Sequence, residues 1–256
     1  MSERFDSLDK YYKTINNLDK TSKALFWINA ALSIVVFYLE ETTLLKNYLL
    51  GIFVLTTIAY FIADNYLSIF LIPNVEEKRR LHLLTNSFNV PLDNERTNKY
   101  YNNNLEPSLL KLGANVFENS LFAKRVSYEM AIKERKIIIL FIFVWLLALI
   151  TRTTNLELIS IVAQTLFAST LIPSWLKLEV LRRKNNEIYD CLYNVFLFQN
   201  ENDEQKVTAR ILDCFVKYES AKAYSGVKQS SKIFHRINAE VTEEWEQTKR
   251  NLGIKN

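Results

Sequence analysis

His82, His235, Cys191 and Cys214 are all the imidazole and thiol that this chain possesses. None stands at a C-x-x-C or H-x-x-x-H spacing, so neither a zinc site nor a dithiol motif is written locally. The chain also has no glycine-rich phosphate loop and no G-x-S-x-G nucleophile turn. Both cysteines fall on apolar stripes of expected helices, which suits reduced core thiols better than a disulfide or a reactive nucleophile. What remains is a polar stretch, Tyr100, Tyr101 and Asn102, followed by Asn115, Glu118, Asn119, Lys124 and Arg125. Amides, aromatic faces and a guanidinium could grip a nucleotide or a partner. The same residues also suit a solvated loop leading into a capped helix. We expect no catalytic residue, no cofactor and no metal.

The elements that would position these groups are set by an uneven distribution of charge. The chain is 49% hydrophobic and 23% charged, and its mean hydropathy of -0.04 is that of an ordinary soluble protein. Yet four windows are free of charge or nearly so: Ala24–Leu39, Asn47–Ala63, Ile137–Thr151 and Leu158–Leu176. A bilayer core about 30 Å thick needs roughly 20 apolar helical residues. The second and fourth windows reach that length, and the other two reach it with flanking Thr, Ser and snorkelling Lys or Arg side chains. Short loops, Glu40–Lys46 and Arg152–Glu157, join them into two helical hairpins.

Basic residues give the orientation, because cytoplasmic flanks collect Lys and Arg. Lys20, Lys23, Lys78, Arg79, Arg80, Lys133, Arg135, Lys136, Lys177, Arg182, Arg183 and Lys184 lie on the long segments, whereas the short loops hold only Lys46 and Arg152. Both termini are therefore expected in the cytoplasm. The expected organisation is an amphipathic N-terminal helix over 1–23, a first transmembrane hairpin over 24–73 and a cytoplasmic middle block over 74–136. A second hairpin follows over 137–176 and a cytoplasmic helical region over 177–256. Four Gly and four Pro leave little punctuation for a sheet, and the fold class is an all-α integral membrane protein. Stripes are expected at Leu81, Leu84 and Phe88, at Ile188, Leu192, Val195 and Phe196, at Val207, Ile211, Cys214, Phe215 and Tyr218, and at Ile233, Ile237, Val241 and Trp245. Breaks are expected at Pro91 and Gly113.

"LIP" occurs twice, at Leu71–Pro73 and Leu171–Pro173, each time closing an apolar run and opening a basic one. Pro73 and Pro173 are candidate hinges where a helix leaves the bilayer and resumes beyond a kink. Asp64, Asn65, Gln164 and Asn29 are the candidate pore-lining groups. An ionisable side chain at the bilayer centre costs about 2.5–3.5 kcal/mol, which makes such a residue a functional candidate. Asp64 and Asn65 either line a polar path in an assembly or lie wet near the headgroups. Asn29 and Gln164 also suit interhelical hydrogen bonds, worth about 0.6–2 kcal/mol each.

Three segments, "NKYYNNNLEPSLLKLGANVFENSLF", "LIPSWLKLEVLRR" and "KAYSGVKQSSKIFHRINAEVTEEWE", set between and after two hairpins, resemble the SMODS-associated four-transmembrane family of bacterial pore-forming effectors. The resemblance spans most of the chain and rests on loose aromatic, Asn and Glu patterns. It implies antiphage defence by abortive infection, in which a triggered oligomer permeabilises the inner membrane. The implied partners are membrane lipid, further copies of the chain, and a cyclic oligonucleotide messenger or its synthase. Nucleic acid is not expected, since the net charge of +4 shows no clustered basic groove. Two other readings use the same hairpins: a small ungated channel or transporter, and a non-conducting membrane-anchored adaptor.

Overall fold

A computed structural model of the chain describes residues 5–39, 43–92, 94, 97–98, 101, 103–150, 171–198 and 203–254. These residues are helical almost throughout. The helices are α1 (Asp9–Tyr38), α2 (Leu44–Tyr66), α3 (Ile72–Phe88), α4 (Leu109–Ile150), α5 (Leu171–Leu197), α6 (Glu204–Ser225) and α7 (Ser231–Leu252). The exception is one short antiparallel pair, β1 (Phe5–Asp6) with β2 (Thr97–Asn98), in which Phe5 faces Asn98. The chain divides into two compact units. The first holds Met1–Asp9, Asn74–Glu134 and Trp175–Asn256, and the second holds Lys10–Pro73 and Arg135–Ser174.

The first unit has a closed core centred on Phe117. Its ring meets Tyr189 at 5.1 Å, Phe196 at 5.7 Å and Trp245 at 5.3 Å, the last edge to face. Such pairings add about 0.5–1.5 kcal/mol each beyond the area they bury. The expected stripes of α5, α6 and α7 supply much of this core, with Ile188, Leu192, Ile211, Cys214, Val241 and Trp245 all fully or nearly fully buried. In the second half of α3 the buried residues are His82, Leu83 and Ser87, while Leu81, Leu84 and Phe88 are only half-buried. There the inward face is offset from the expected stripe, because a serine and a histidine occupy positions that an apolar count passes over.

Ordinary chemistry closes these helices. Asp203 accepts from the Gln205 N–H ahead of α6, and the Ser230 hydroxyl accepts from the Ile233 N–H ahead of α7. Gly226 and Gly253 end the same two helices with φ of 55° and 66°, in the left-handed region that glycine enters without penalty. No break occurs at Gly113, which lies inside α4. A Cβ there would stand 3.0 Å from two carbon atoms of Ile211, so the glycine is explained by the close approach of α6.

The second unit is built differently. Ser22 meets Asp64, Phe26 meets Tyr60 and Asn29 meets Thr56, so each step forward in α1 is matched by a step back in α2 and the two helices run antiparallel. Trp27 also meets Phe141 of α4, with ring centroids 6.1 Å apart. Yet α2 buries no residue at all. Large apolar side chains stand open on all three helices, among them Trp27, Leu55, Phe61, Ile62, Ile139 and Leu140. Among the described residues one helical run, Leu44–Phe88, is long and apolar enough to cross a membrane.

Candidate functional site

The polar residues that the sequence grouped together are distributed over several jobs. Asn115 is fully buried on α4. Its Oδ1 accepts from Asn103 Nδ2 at 2.8 Å, and its Nδ2 donates to Asn86 Oδ1 at 2.9 Å and to Ser87 Oγ at 3.0 Å. One amide thereby ties the loop before α4 to the end of α3, and the Ser108 N–H donates to the Ser87 carbonyl beside it at 3.1 Å. These bonds use most of what the side chain can offer. Asn115 therefore faces protein where a ligand-binding group would face an opening.

Glu118 is buried on the next turn, and Asn119 beside it is half-buried. Tyr101 packs against the core from the loop. Arg125 donates from Nε and Nη2 to a single Glu244 oxygen on α7, at 2.9 and 2.7 Å. One turn further along α4, Glu129 accepts from Arg236 at 2.6 Å. The α4–α7 contact is thus pinned by two ion pairs of opposite sense. Tyr100 and Asn102 lie outside the described residues.

A cleft of about 420 Å³ opens beside this loop, lined by Asn104, Leu105, Glu106, Ser108, Leu110, Phe196, Gly253 and Ile254. Its floor is apolar and its rim offers an amide, a hydroxyl and one carboxylate. None of these residues is cationic, so the described lining brings no charge to offset a phosphate. A neutral or cationic group suits it better than an anion.

In the second unit the candidate pore groups make bonds within the chain. Asp64 Oδ1 accepts from the Ser22 hydroxyl at 3.3 Å, and Ser22 is almost fully buried. Asn29 Oδ1 accepts from the Thr56 hydroxyl. Asn65 turns back on its own helix, donating to the Phe61 carbonyl at 2.8 Å. Gln164 lies outside the described residues, as do 151–170 as a whole.

Pro73 follows a π-helical turn, Leu67–Leu71, where the Ile72 N–H donates five residues back to the Leu67 carbonyl. Proline has no N–H to give and its ring crowds the carbonyl four residues earlier. Widening the helix by one residue relieves that conflict and lets helical bonding continue through the proline. Pro173 is the third residue of α5.

Two contacts between helices, Lys222 with Glu76 and Cys191 with Cys214, had no local signal. Lys222 on α6 sits 2.6 Å from Glu76 of α3 and 3.5 Å from Glu219 on its own helix, and burial pushes the Glu219 carboxyl above the ordinary range. Cys191 and Cys214, on α5 and α6, bring their sulfurs to 2.7 Å. Both cysteines lie on helical stripes that periodicity identifies, but which stripes face each other is settled only by packing. Among the described residues no group of three His, Cys, Asp or Glu side chains could hold a metal ion.

Taken with the geometry, these features define a helical protein with one aromatic-cored unit and one apolar, open-surfaced unit. Compared with protein-family models, curated proteins and solved structures, the chain matches none.

Proposed function

We propose that the chain is a membrane effector of a bacterial antiphage system, which oligomerises and permeabilises the inner membrane when triggered. The observation that carries the membrane part is the exterior of α2. None of its residues is buried, and the run it belongs to has a mean hydropathy of 1.6 in its most apolar window. Leaving a Leu, Ile or Phe side chain in water forgoes about 1.5–3 kcal/mol relative to burying it. A helix with no buried residue therefore calls for an apolar surrounding, and lipid supplies one. The charge-free windows at Ala24–Leu39, Ile137–Thr151 and Leu158–Leu176 extend this to four spans, and the basic flanks favour cytoplasmic termini.

Effector action is supported by the sequence resemblance to the SMODS-associated four-transmembrane family. Four helices per chain enclose no water-filled passage, so conduction requires several copies. A trigger acts only through different affinities for closed and open assemblies. A cyclic oligonucleotide or its synthase would supply that difference by acting on the first unit.

A second reading, a non-conducting anchored adaptor, is favoured by one observation. Asn29 and Asp64 each accept a hydrogen bond from the facing helix, from Thr56 and Ser22 respectively, and so hold α1 to α2. Dye and ion leakage from liposomes carrying the purified protein separates the readings, with and without a panel of cyclic di- and trinucleotides. Leakage with one nucleotide supports the gated effector and names its messenger. Leakage under all conditions supports an ungated channel, and tight vesicles throughout support the adaptor.

A further inference from the structure

We propose that Cys191 and Cys214 are a redox-reactive pair that closes to a disulfide between α5 and α6. Both are free thiols, and their sulfurs stand 2.7 Å apart although 23 residues separate them in sequence. A covalent S–S bond is about 2.05 Å long, so a displacement of well under an ångström joins them. Their exposures differ in a useful way. Cys214 is fully buried, whereas Cys191 is partly exposed. An oxidant from solvent therefore meets Cys191 first. Burial, and then the neighbouring Cys191, push the Cys214 thiol up, which keeps it protonated and poorly reactive toward solvent species.

The oxidant is a peroxide, and the chemistry balances in two steps. Cys191 sulfur attacks hydrogen peroxide, an S–O bond forms as the O–O bond breaks, and water leaves with the thiol proton. Cys214 sulfur then attacks the resulting sulfenic sulfur. The S–S bond forms as the S–O bond breaks, and the departing hydroxide takes the Cys214 proton as a second water. Together the two thiols lose two electrons and the peroxide gains two. The product ties α5 to α6 at the edge of the aromatic core, and an external dithiol reverses it. This inference is independent of the membrane reading.

The test uses the full-length protein in detergent, treated with hydrogen peroxide, quenched, unfolded and labelled with a maleimide. The chain has no other cysteine, so label counts directly report this pair. Wild type should lose both free thiols and yield one cross-linked peptide pair lacking two hydrogens. It should run as a monomer without reductant, and dithiothreitol should restore both thiols. Cys214→Ala, an apolar substitution chosen to spare the core, should leave Cys191 as a sulfenic acid that dimedone traps. Wild-type protein that keeps both thiols overturns the proposal. So does Cys191 passing to sulfinic acid without linking, or a disulfide that joins two chains.

Discussion

Arg125 and Glu244, 119 residues apart in the chain, meet as a forked ion pair in which two guanidinium nitrogens share one carboxylate oxygen. Both side chains keep roughly a third or more of their surface in water, at 43% and 32% exposure. Solvent screening at that exposure limits such a pair to about 0–1 kcal/mol. Arg125→Ala should therefore lower the melting temperature of the detergent-solubilised protein by only a few degrees, with Glu244→Gln no worse alone or combined. If Arg125 also reads a trigger, its substitution should abolish nucleotide-dependent leakage while Glu244→Gln leaves it intact.

Asn115→Ala should do more damage than its size suggests. It strands Asn103, Asn86 and Ser87 around a buried methyl group. Each unsatisfied buried partner costs about 1–3 kcal/mol, less whatever water recovers. Limited proteolysis reads the result, since the loop over 103–108 loses its side-chain tie to α3 and keeps only the Ser108 N–H bond to the Ser87 carbonyl. Faster cleavage there than in wild type is the expected outcome, and an unchanged pattern would remove Asn115 from that role.

The Glu76–Lys222–Glu219 cluster carries a pH dependence whose sign is fixed by burial. Desolvation raises the Glu219 carboxyl above its ordinary 4.5, with Lys222 pulling the other way. The folded protein therefore keeps a proton on Glu219 that the unfolded chain has released. That contribution to stability is fully present below pH 4.5 and is lost as pH rises through the folded value. Melting temperatures of wild type and Glu219→Gln across this range give the check. Their difference should move in favour of the variant with rising pH, and a constant difference would contradict the assignment.

Asp64→Asn keeps an acceptor for Ser22 but removes the charge. In a conducting assembly lined by Asp64, triggered cation flux should fall several-fold. In an anchor it should change nothing measurable, whereas Asp64→Ala should loosen α1 from α2 in either case. Cation and anion leakage from liposomes, set beside melting temperature, distinguishes loss of charge from loss of the bond.

Local periodicity carried much of this structure. Ile211, Cys214 and Tyr218 recur at three and four residues, as do Val241 and Trp245, and those spacings bury one face of a helix whatever lies opposite. The helical class follows for the same reason. Reading glycine as a breaker misled at Gly113, where a weak local preference against helix yields to the packing of Ile211. Periodicity also could not separate ligand-facing from core-facing polar groups. Asn115 and Arg125 look alike in sequence, yet one amide is sealed among three partners and the other side chain pairs at the surface.

By itself, then, the sequence determined that the chain is helical and which stretches are apolar, because both are properties of neighbours within a few turns. Tertiary structure decided who meets whom: Arg125 with Glu244, Asp6 with Arg79, and Cys191 with Cys214. These pairings join residues 23 to 119 positions apart. No local repeat encodes such distances, and they arise only when whole helix faces compete for the same core.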